Sequence, residues 1–202
     1  MPLWISNKPL VLASKSEVRR KILAAAGVPV ESRAASIDER GVEARSHVHG
    51  ALEVAQVLAG AKAHTVAAEM PGRVVLAADQ TLTLEGKRFS KPSSRAEATA
   101  QLKALRGKTH QLHSALCVVR DGEVLFEAAD DAWLVMRQFS DGFIDSYLDT
   151  SGDGAYNSVG GYQVETVGIH LFEKISGDYF TILGLPLLPL LEFLRKSGMA
   201  AD

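Results

Sequence analysis

Residues 9–29 read PLVLASKSEVRRKILAAAGVP, and this stretch decides the fold class. Pro9–Ala13 is a short apolar run typical of a strand. From about Glu17 to Ala26 the apolar residues recur at the spacing of one helix face, and a Gly and a Pro then end the helix. Val30–Ala35 is predicted as a second strand. This strand-helix-strand order indicates an α/β protein.

The rest of the chain keeps alternating helices and strands at first, and strands dominate its middle. Glu85-Gly86 and Asp121-Gly122 are predicted hairpin turns. We therefore expect a mixed, partly antiparallel sheet flanked by helices, in a single domain over residues 1–202 with no clear linker. Further helices are predicted at 51–69, 93–105, 141–148 and 187–196, and further strands at 73–78, 81–84, 87–89, 109–119, 123–126, 130–139, 162–164 and 168–175.

Composition excludes several classes of protein. The chain has 202 residues, 47% of them hydrophobic and 23% charged, with a net charge of −2. This is typical of a globular domain rather than of a general nucleic-acid or membrane-surface binder. One cysteine, Cys117, rules out an internal disulfide and a four-thiolate zinc site. The longest apolar stretch, near Thr181–Leu194, is interrupted by Gly, Pro and Glu, and no apolar core precedes Lys8, so we expect a cytoplasmic protein.

The first candidate site lies where the first strand runs into the first helix. Ser14 and Ser16 stand at the helix N-terminus, whose free N–H groups and positive dipole end favour an anion. Arg19 lies one turn into the helix and could bind phosphate oxygens with its fork of donors. The alternative is that Ser14 or Ser16 only caps the helix and that the arginine is solvated.

Single charged residues elsewhere give weaker signals. Asp79 follows a buried apolar strand, where a carboxylate could bind a metal or activate a water, or could only cap a turn. Lys91 precedes a proline that keeps it extended, so it could face phosphate or lie in a solvated loop. By local pattern Lys62 is a surface residue of a helix. Asp38-Glu39 could supply oxygens to a metal, but its local pattern favours a solvated acidic loop.

The order of these signals along the chain is more specific than any one of them. Eight motifs occur in sequence: Ser14-x-Ser16-x-x-Arg19, Asp38-Glu39, Lys62, Ala78-Asp79-Gln80, Lys91-Pro92, Leu105-x-Gly107-x-x-His110, Gly160-Gly161-Tyr162 and Gly184-Leu185-Pro186-Leu187. This order resembles the Maf family of nucleoside triphosphate pyrophosphatases, once described as septum-formation inhibitors. The resemblance covers about Leu10 to Leu194.

The resemblance implies a fold, a reaction and residue roles. The family has a mixed α/β fold with two lobes around a nucleotide cleft, and it cleaves a nucleoside triphosphate to a monophosphate and pyrophosphate with Mg²⁺ or Mn²⁺. Such a house-cleaning enzyme needs neither nucleic acid nor membrane as a partner, and a homodimer is left open. By position Asp79 matches the proton acceptor, Glu39 an acidic residue near the metal, and Ser14, Arg19, Lys62 and Lys91 the phosphate-contacting residues.

Three positions bear on the nucleobase. With Val18, Gln80 and Glu165, the chain resembles the branch associated with 7-methyl-GTP rather than the branch that prefers dTTP and UTP. An ionised Glu165 only accepts hydrogen bonds, and guanine offers two adjacent N–H donors to such a group. The alternative is a solvated Glu165. The chain also has Asn157-Ser158 where the family often has Asp-Lys, so one positive charge is missing. The rival functions are a dTTP or UTP pyrophosphatase and a nucleotide-binding regulator of septum formation with little catalysis.

Overall fold

A seven-stranded mixed sheet forms the centre of the protein. The computed structural model describes residues 2–201. The strands are β1 (Leu10–Leu12), β2 (Val30–Ser32), β3 (Val75–Leu84), β4 (Lys87–Phe89), β5 (Thr109–Arg120), β6 (Glu123–Met136) and β7 (Phe172–Ser176). The first three strands of the order β2-β1-β3-β5-β6-β7 pair in parallel, the remaining pairs are antiparallel, and β4 pairs with β3 alone. The predicted fold class is confirmed.

Helices cover the sheet, and most of them begin at a side-chain cap. Ser16, Asp38, Ser94 and Ser140 each accept a hydrogen bond from the backbone N–H three residues on, which satisfies one of the free donors of the first turn. The helices are α1 (Glu17–Ala25), α2 (Glu39–Ser46), α3 (Ala51–Glu69), α4 (Arg95–Leu105), α5 (Asp141–Ser151), α6 (Tyr179–Ile182) and α7 (Leu187–Lys196).

The apolar core divides into parts that correspond to two lobes. Near β1, Ala59 and Ala63 of α3 pack on one face of the sheet, and Leu190 and Leu194 of α7 pack on the other. A separate cluster around Leu102 of α4 packs against the far halves of β3, β5 and β6. Because β3 and β5 run through both parts, the two lobes share one sheet.

Asp79 lies inside a strand, and the prediction that a strand ends there is wrong. The predicted strands 73–78 and 81–84 form one strand, because β5 pairs with β3 without a break and places Asp79 opposite Ala115. The other edge of β3 is covered differently. It pairs with β1 only at Val75 and Leu76 and with β4 only from Leu82 onward. Asp79 therefore stands on the stretch of β3 edge between these two partners, just past the end of β1.

Other expectations are corrected where tertiary contacts override the local pattern. Asp38-Glu39 begins helix α2 rather than a loop. The predicted strands 123–126 and 130–139 are one strand, β6. Residues 162–164 form no strand, and the predicted strand 168–175 is a 3₁₀ turn at Val167–Leu171 followed by β7. A Cβ on Gly168 would collide with the carbonyl oxygen of Gln163, so this close approach of the backbone requires glycine.

Within residues 2–201, no helix combines the length and the apolar character needed to cross a membrane.

Candidate active site

A cleft of about 1120 Å³ opens along the uncovered edge of β3 between the two lobes. All ten residues predicted from the sequence as site residues line this one cleft, although they come from six separate parts of the chain. Their roles remain predictions. These residues are Ser14, Ser16, Val18, Arg19, Glu39, Lys62, Asp79, Gln80, Lys91 and Glu165.

The turn between β1 and α1 forms one wall of the cleft. Ser16 is the N-cap of α1, and its hydroxyl accepts a hydrogen bond from the Arg19 N–H at 3.3 Å. The Ser14 hydroxyl accepts from the Ser16 N–H at 3.1 Å. The capping alternative thus describes Ser16, while the hydroxyl of Ser14 stabilises the turn that leads into the helix.

Arg19 fills the gap in the sheet edge. Its Nη1 donates to the Ala78 carbonyl oxygen at 2.7 Å, and its Nε donates to the Gly184 carbonyl oxygen at 2.7 Å. These bonds replace strand pairing at this point of β3 and fix the guanidinium plane. Burial lowers the pKa of Arg19, and the nearby carboxylates of Asp79 and Glu39 oppose that effect.

Lys62 lies between two carboxylates at the centre of the cleft. Its Nζ lies 2.5 Å from Asp79 Oδ1 and 2.7 Å from Glu39 Oε1. The side chains of Lys62 and Asp79 are only 14% and 13% exposed, so Lys62 is not the surface residue that its local pattern predicts. The small residues on the inner face of α3 allow the helix to pack close to β3, and this brings Lys62 over the strand.

Lys91 contributes a third cation from the opposite lobe. Removal from water within the cleft is the largest influence on its amine and lowers its pKa; the charges of Arg19 and Lys62 lower it further, and the two carboxylates raise it. These interactions place Lys91 in the same electrostatic neighbourhood as the other charged groups. Three cations on α1, α3 and the segment after β4 thus converge with two carboxylates.

Gln80 has a structural task besides facing the cleft. Its Nε2 lies 3.0 Å from Ser114 Oγ, 3.2 Å from the Thr181 carbonyl oxygen and 3.0 Å from that of Ile182. The amide N–H groups are therefore directed at the end of α6, and the amide oxygen is what Gln80 can offer a ligand. Glu165 is exposed, and Val18 lies on the cleft face of α1.

A divalent cation fits this donor set only together with oxygens of a substrate. Among the described residues, no three side chains of His, Cys, Asp or Glu come together as a metal site. Glu39 and Asp79 offer two carboxylates, and Mg²⁺ is commonly held by one or two carboxylates plus phosphate oxygens and water. Lys62 bridges the two carboxylates and would have to shift when such a cation binds.

Sequence reasoning missed two arginines of the cleft. Arg40, in the first turn of α2, and Arg88, on β4, both line it. Arg88 forms an ion pair with Glu43, which connects β4 to α2 at the rim. The helix-start signal of Asp38 would have placed Arg40 next to Glu39. No local signal singles out Arg88, because the strand pairing alone turns it toward the cleft.

The fold and the cleft together define an α/β protein with a cationic, carboxylate-containing site at the edge of its central strand. Residues 9–197 match the family described as Maf-like protein. The chain therefore belongs to the Maf family, as its motifs predicted.

Individual relatives match over almost the whole chain. A nucleoside triphosphate pyrophosphatase from Rhodopseudomonas palustris (strain BisB18) is 50% identical over 201 residues, which covers 100% of both chains. A protein of the same name from Nitrobacter winogradskyi is 52% identical over 199 residues, or 98% of each chain. A 7-methyl-GTP pyrophosphatase from Brucella abortus biovar 1 is 51% identical over 189 residues, or 93% of this chain and 95% of the relative.

Proposed function

We propose that the protein is a nucleoside triphosphate pyrophosphatase that hydrolyses its substrate between the α and β phosphates. The observation that carries the proposal is the convergence of Arg19, Lys62 and Lys91 on one cleft with Asp79 and Glu39. Three cations from separate elements can contact the oxygens of a triphosphate, and the names of the full-length relatives support the reaction class.

Each residue has a role that follows from its contacts. Arg19, fixed by two backbone carbonyls, presents its remaining N–H donors to phosphate oxygens. Lys62 holds Asp79 Oδ1. A divalent cation that displaces Lys62 would take that same oxygen, and Oδ2 is then left to accept a proton from the attacking water. The cations stabilise charge that develops on the leaving pyrophosphate. Water is the nucleophile, and no covalent enzyme intermediate is needed.

Glu39 and Asp79 are the residues that would hold a divalent cation with the triphosphate. Mg²⁺ or Mn²⁺ bound there would neutralise phosphate charge.

Replacement of the proposed base tests the reaction. Asp79→Asn keeps the size of the side chain but removes its basicity, and general base catalysis typically contributes 10²–10⁴-fold. We expect turnover to fall by about that factor while nucleotide binding persists. Monophosphate and pyrophosphate would be separated from diphosphate and phosphate. Asp145→Asn, an exposed carboxylate on α5, is the control. Unchanged turnover in Asp79→Asn would reject the assignment of the base, and binding without turnover in the unaltered protein would favour the regulator.

We further propose that 7-methyl-GTP is the preferred nucleotide. One relative bears that name, and Glu165 lines the cleft as an exposed carboxylate that can accept from two guanine donors and attract the positive charge of a 7-methylated base. A base carbonyl that faces the carboxylate of Glu165 gains no hydrogen bond from it and is repelled by its charge, at a cost of about 1–3 kcal/mol, which disfavours thymine and uracil.

Exchange of the carboxylate for an amide tests this preference. Glu165→Gln should move the ratio of kcat/KM values from 7-methyl-GTP toward dTTP and UTP by about 10–100-fold, which corresponds to that energy. Glu173→Gln, which alters an exposed carboxylate on β7, is the control. An unchanged ratio in Glu165→Gln, or a preference of the unaltered protein for dTTP or UTP, would refute the role of Glu165 and leave the reaction in place.

A further inference from the structure

A second, apolar groove of about 550 Å³ adjoins the cleft and has no part in the proposed hydrolysis. One wall is α1, which contributes Val18, Ile22 and Ala25. The other wall is α6 and the residues after it, including Tyr179 and Leu183. Tyr179 is 51% exposed, so this wall presents a large aromatic side chain to solvent.

The groove is continuous with the cleft. Val18, Gln163, Glu165 and Leu183 line both, so Glu165 stands at the junction. Along α1 the apolar side chains at 18, 22 and 25 follow one helix face, and seven residues at 1.5 Å per residue span about 10 Å. The groove therefore leads about 10 Å away from Glu165, which is enough for one aromatic ring and its linker.

Hydrogen bonds hold the far wall in place. Thr181 Oγ1 donates to Asp130 Oδ2 at 2.8 Å, and the Thr181 N–H donates to Asp178 Oδ1 at 3.0 Å. The Thr181 carbonyl oxygen accepts from Ser114 Oγ at 2.7 Å. Because α6 is fixed to β5 and β6 by these bonds, the groove is formed before any ligand binds, and little ordering entropy opposes binding.

We propose that this groove binds an apolar substituent on the nucleobase, and that guanine nucleotides with an arylalkyl group on N2 are a substrate class of this protein. The inference rests on the proposed function, in which Glu165 accepts from guanine N1–H and N2–H. An N2-substituted guanine keeps one N2–H for Glu165, and its substituent leaves the base at that same edge. Glu165 at the junction thus directs the substituent into the groove between α1 and α6.

The experiment compares N2-benzyl-GTP with GTP, by kcat/KM and by Kd from calorimetry. We expect N2-benzyl-GTP to be favoured about tenfold or more, since even one added methylene in an apolar pocket typically changes kcat/KM by about 10–200-fold. Ala25→Phe fills the groove and should reduce this ratio to about one. Ala24→Phe is the matched control, because Ala24 is equally an exposed alanine of α1 but lies outside the groove. Its ratio should equal that of the unaltered protein.

Tyr179→Ser gives an independent test from the opposite wall. It should lower the ratio, whereas Leu188→Ser, which changes a side chain that is 57% exposed outside the groove, should not. A ratio near one in the unaltered protein, or a ratio that survives Ala25→Phe, would overturn the inference. If neither nucleotide is hydrolysed but the Kd ratio behaves as expected, the proposed hydrolysis fails and the groove assignment stands.

Discussion

His110 offers a quantitative prediction about stability because it is buried without a charged partner. It is 1% exposed, and its Nε2 lies 2.7 Å from the Tyr162 hydroxyl. Its Nδ1 makes no hydrogen bond within residues 2–201. Burial lowers the pKa of His110 from 6.5 to about 4. The folded protein therefore holds this imidazole neutral at a pH at which the unfolded chain protonates it.

The sign and the size of the effect follow from this difference. As pH falls below 6.5, the unfolded state takes up a proton and the folded state does not until about pH 4. The stabilisation is fully present above pH 6.5 and is lost as pH approaches 4. A pKa difference of about 2.5 units, at about 1.4 kcal/mol per unit, corresponds to about 3 kcal/mol of unfolding free energy.

The assay is urea unfolding of the protein and of His110→Gln between pH 7.5 and 4. Subtraction of the two curves removes the titration of groups that both share, so the difference should fall by about 3 kcal/mol over this range. His49→Gln, which replaces an exposed histidine, is the control and should show no such fall. A difference between the protein and His110→Gln that stays constant from pH 7.5 to 4 would refute the reasoning.

Three further predictions concern the cleft and the turn beside it. Arg19→Lys keeps the positive charge, but a lysine cannot donate to the carbonyl oxygens of both Ala78 and Gly184. KM for the triphosphate should therefore rise about 10–100-fold in steady-state kinetics. An unchanged KM would contradict the role given to the guanidinium of Arg19. Because its pKa is lowered, the Lys91 amine loses its positive charge at a lower pH than an ordinary lysine does. KM for the triphosphate should therefore increase on the alkaline side, and Lys91→Arg should abolish that increase. Gly168→Ala should lower the free energy of unfolding by about 1–3 kcal/mol in urea, because its Cβ would collide with the carbonyl oxygen of Gln163. Gly142→Ala, with 3.9 Å to its nearest contact, should cost much less.

The sequence predicted those elements whose signals are local. The periodicity of α3 gave its bounds, Ala51–Glu69, and the glycines of two tight turns identified the hairpins. The local pattern did not predict the structure of residues 162–171, because contacts with residues distant in sequence determine it. Tyr162 is buried against His110, and a conformation of this kind depends on the finished core rather than on the alternation of residues.

The sequence predicted which residues belong to the candidate site but not how these residues are arranged. The order of motifs identified eight residues and the resemblance to one branch of the family added Val18 and Glu165; all ten line one cleft. It could not reveal that Lys62 bridges two carboxylates, because the approach of α3 to β3 depends on how alanines pack across the sheet. Nor could it show that Gln80 directs its N–H groups to α6, since only the folded chain brings residues 80 and 181 together.

The unbroken course of β3 and β5 through both lobes limits how the protein can move. Because β3 and β5 pair without a loop that could act as a hinge, the two lobes cannot rotate apart about the floor of the cleft. Any change in the width of the cleft would therefore come from its rim, where the Arg88–Glu43 ion pair joins β4 to α2. Since such a pair weakens as ions are added, rates of substrate entry and product release should depend on ionic strength even where the chemical step does not.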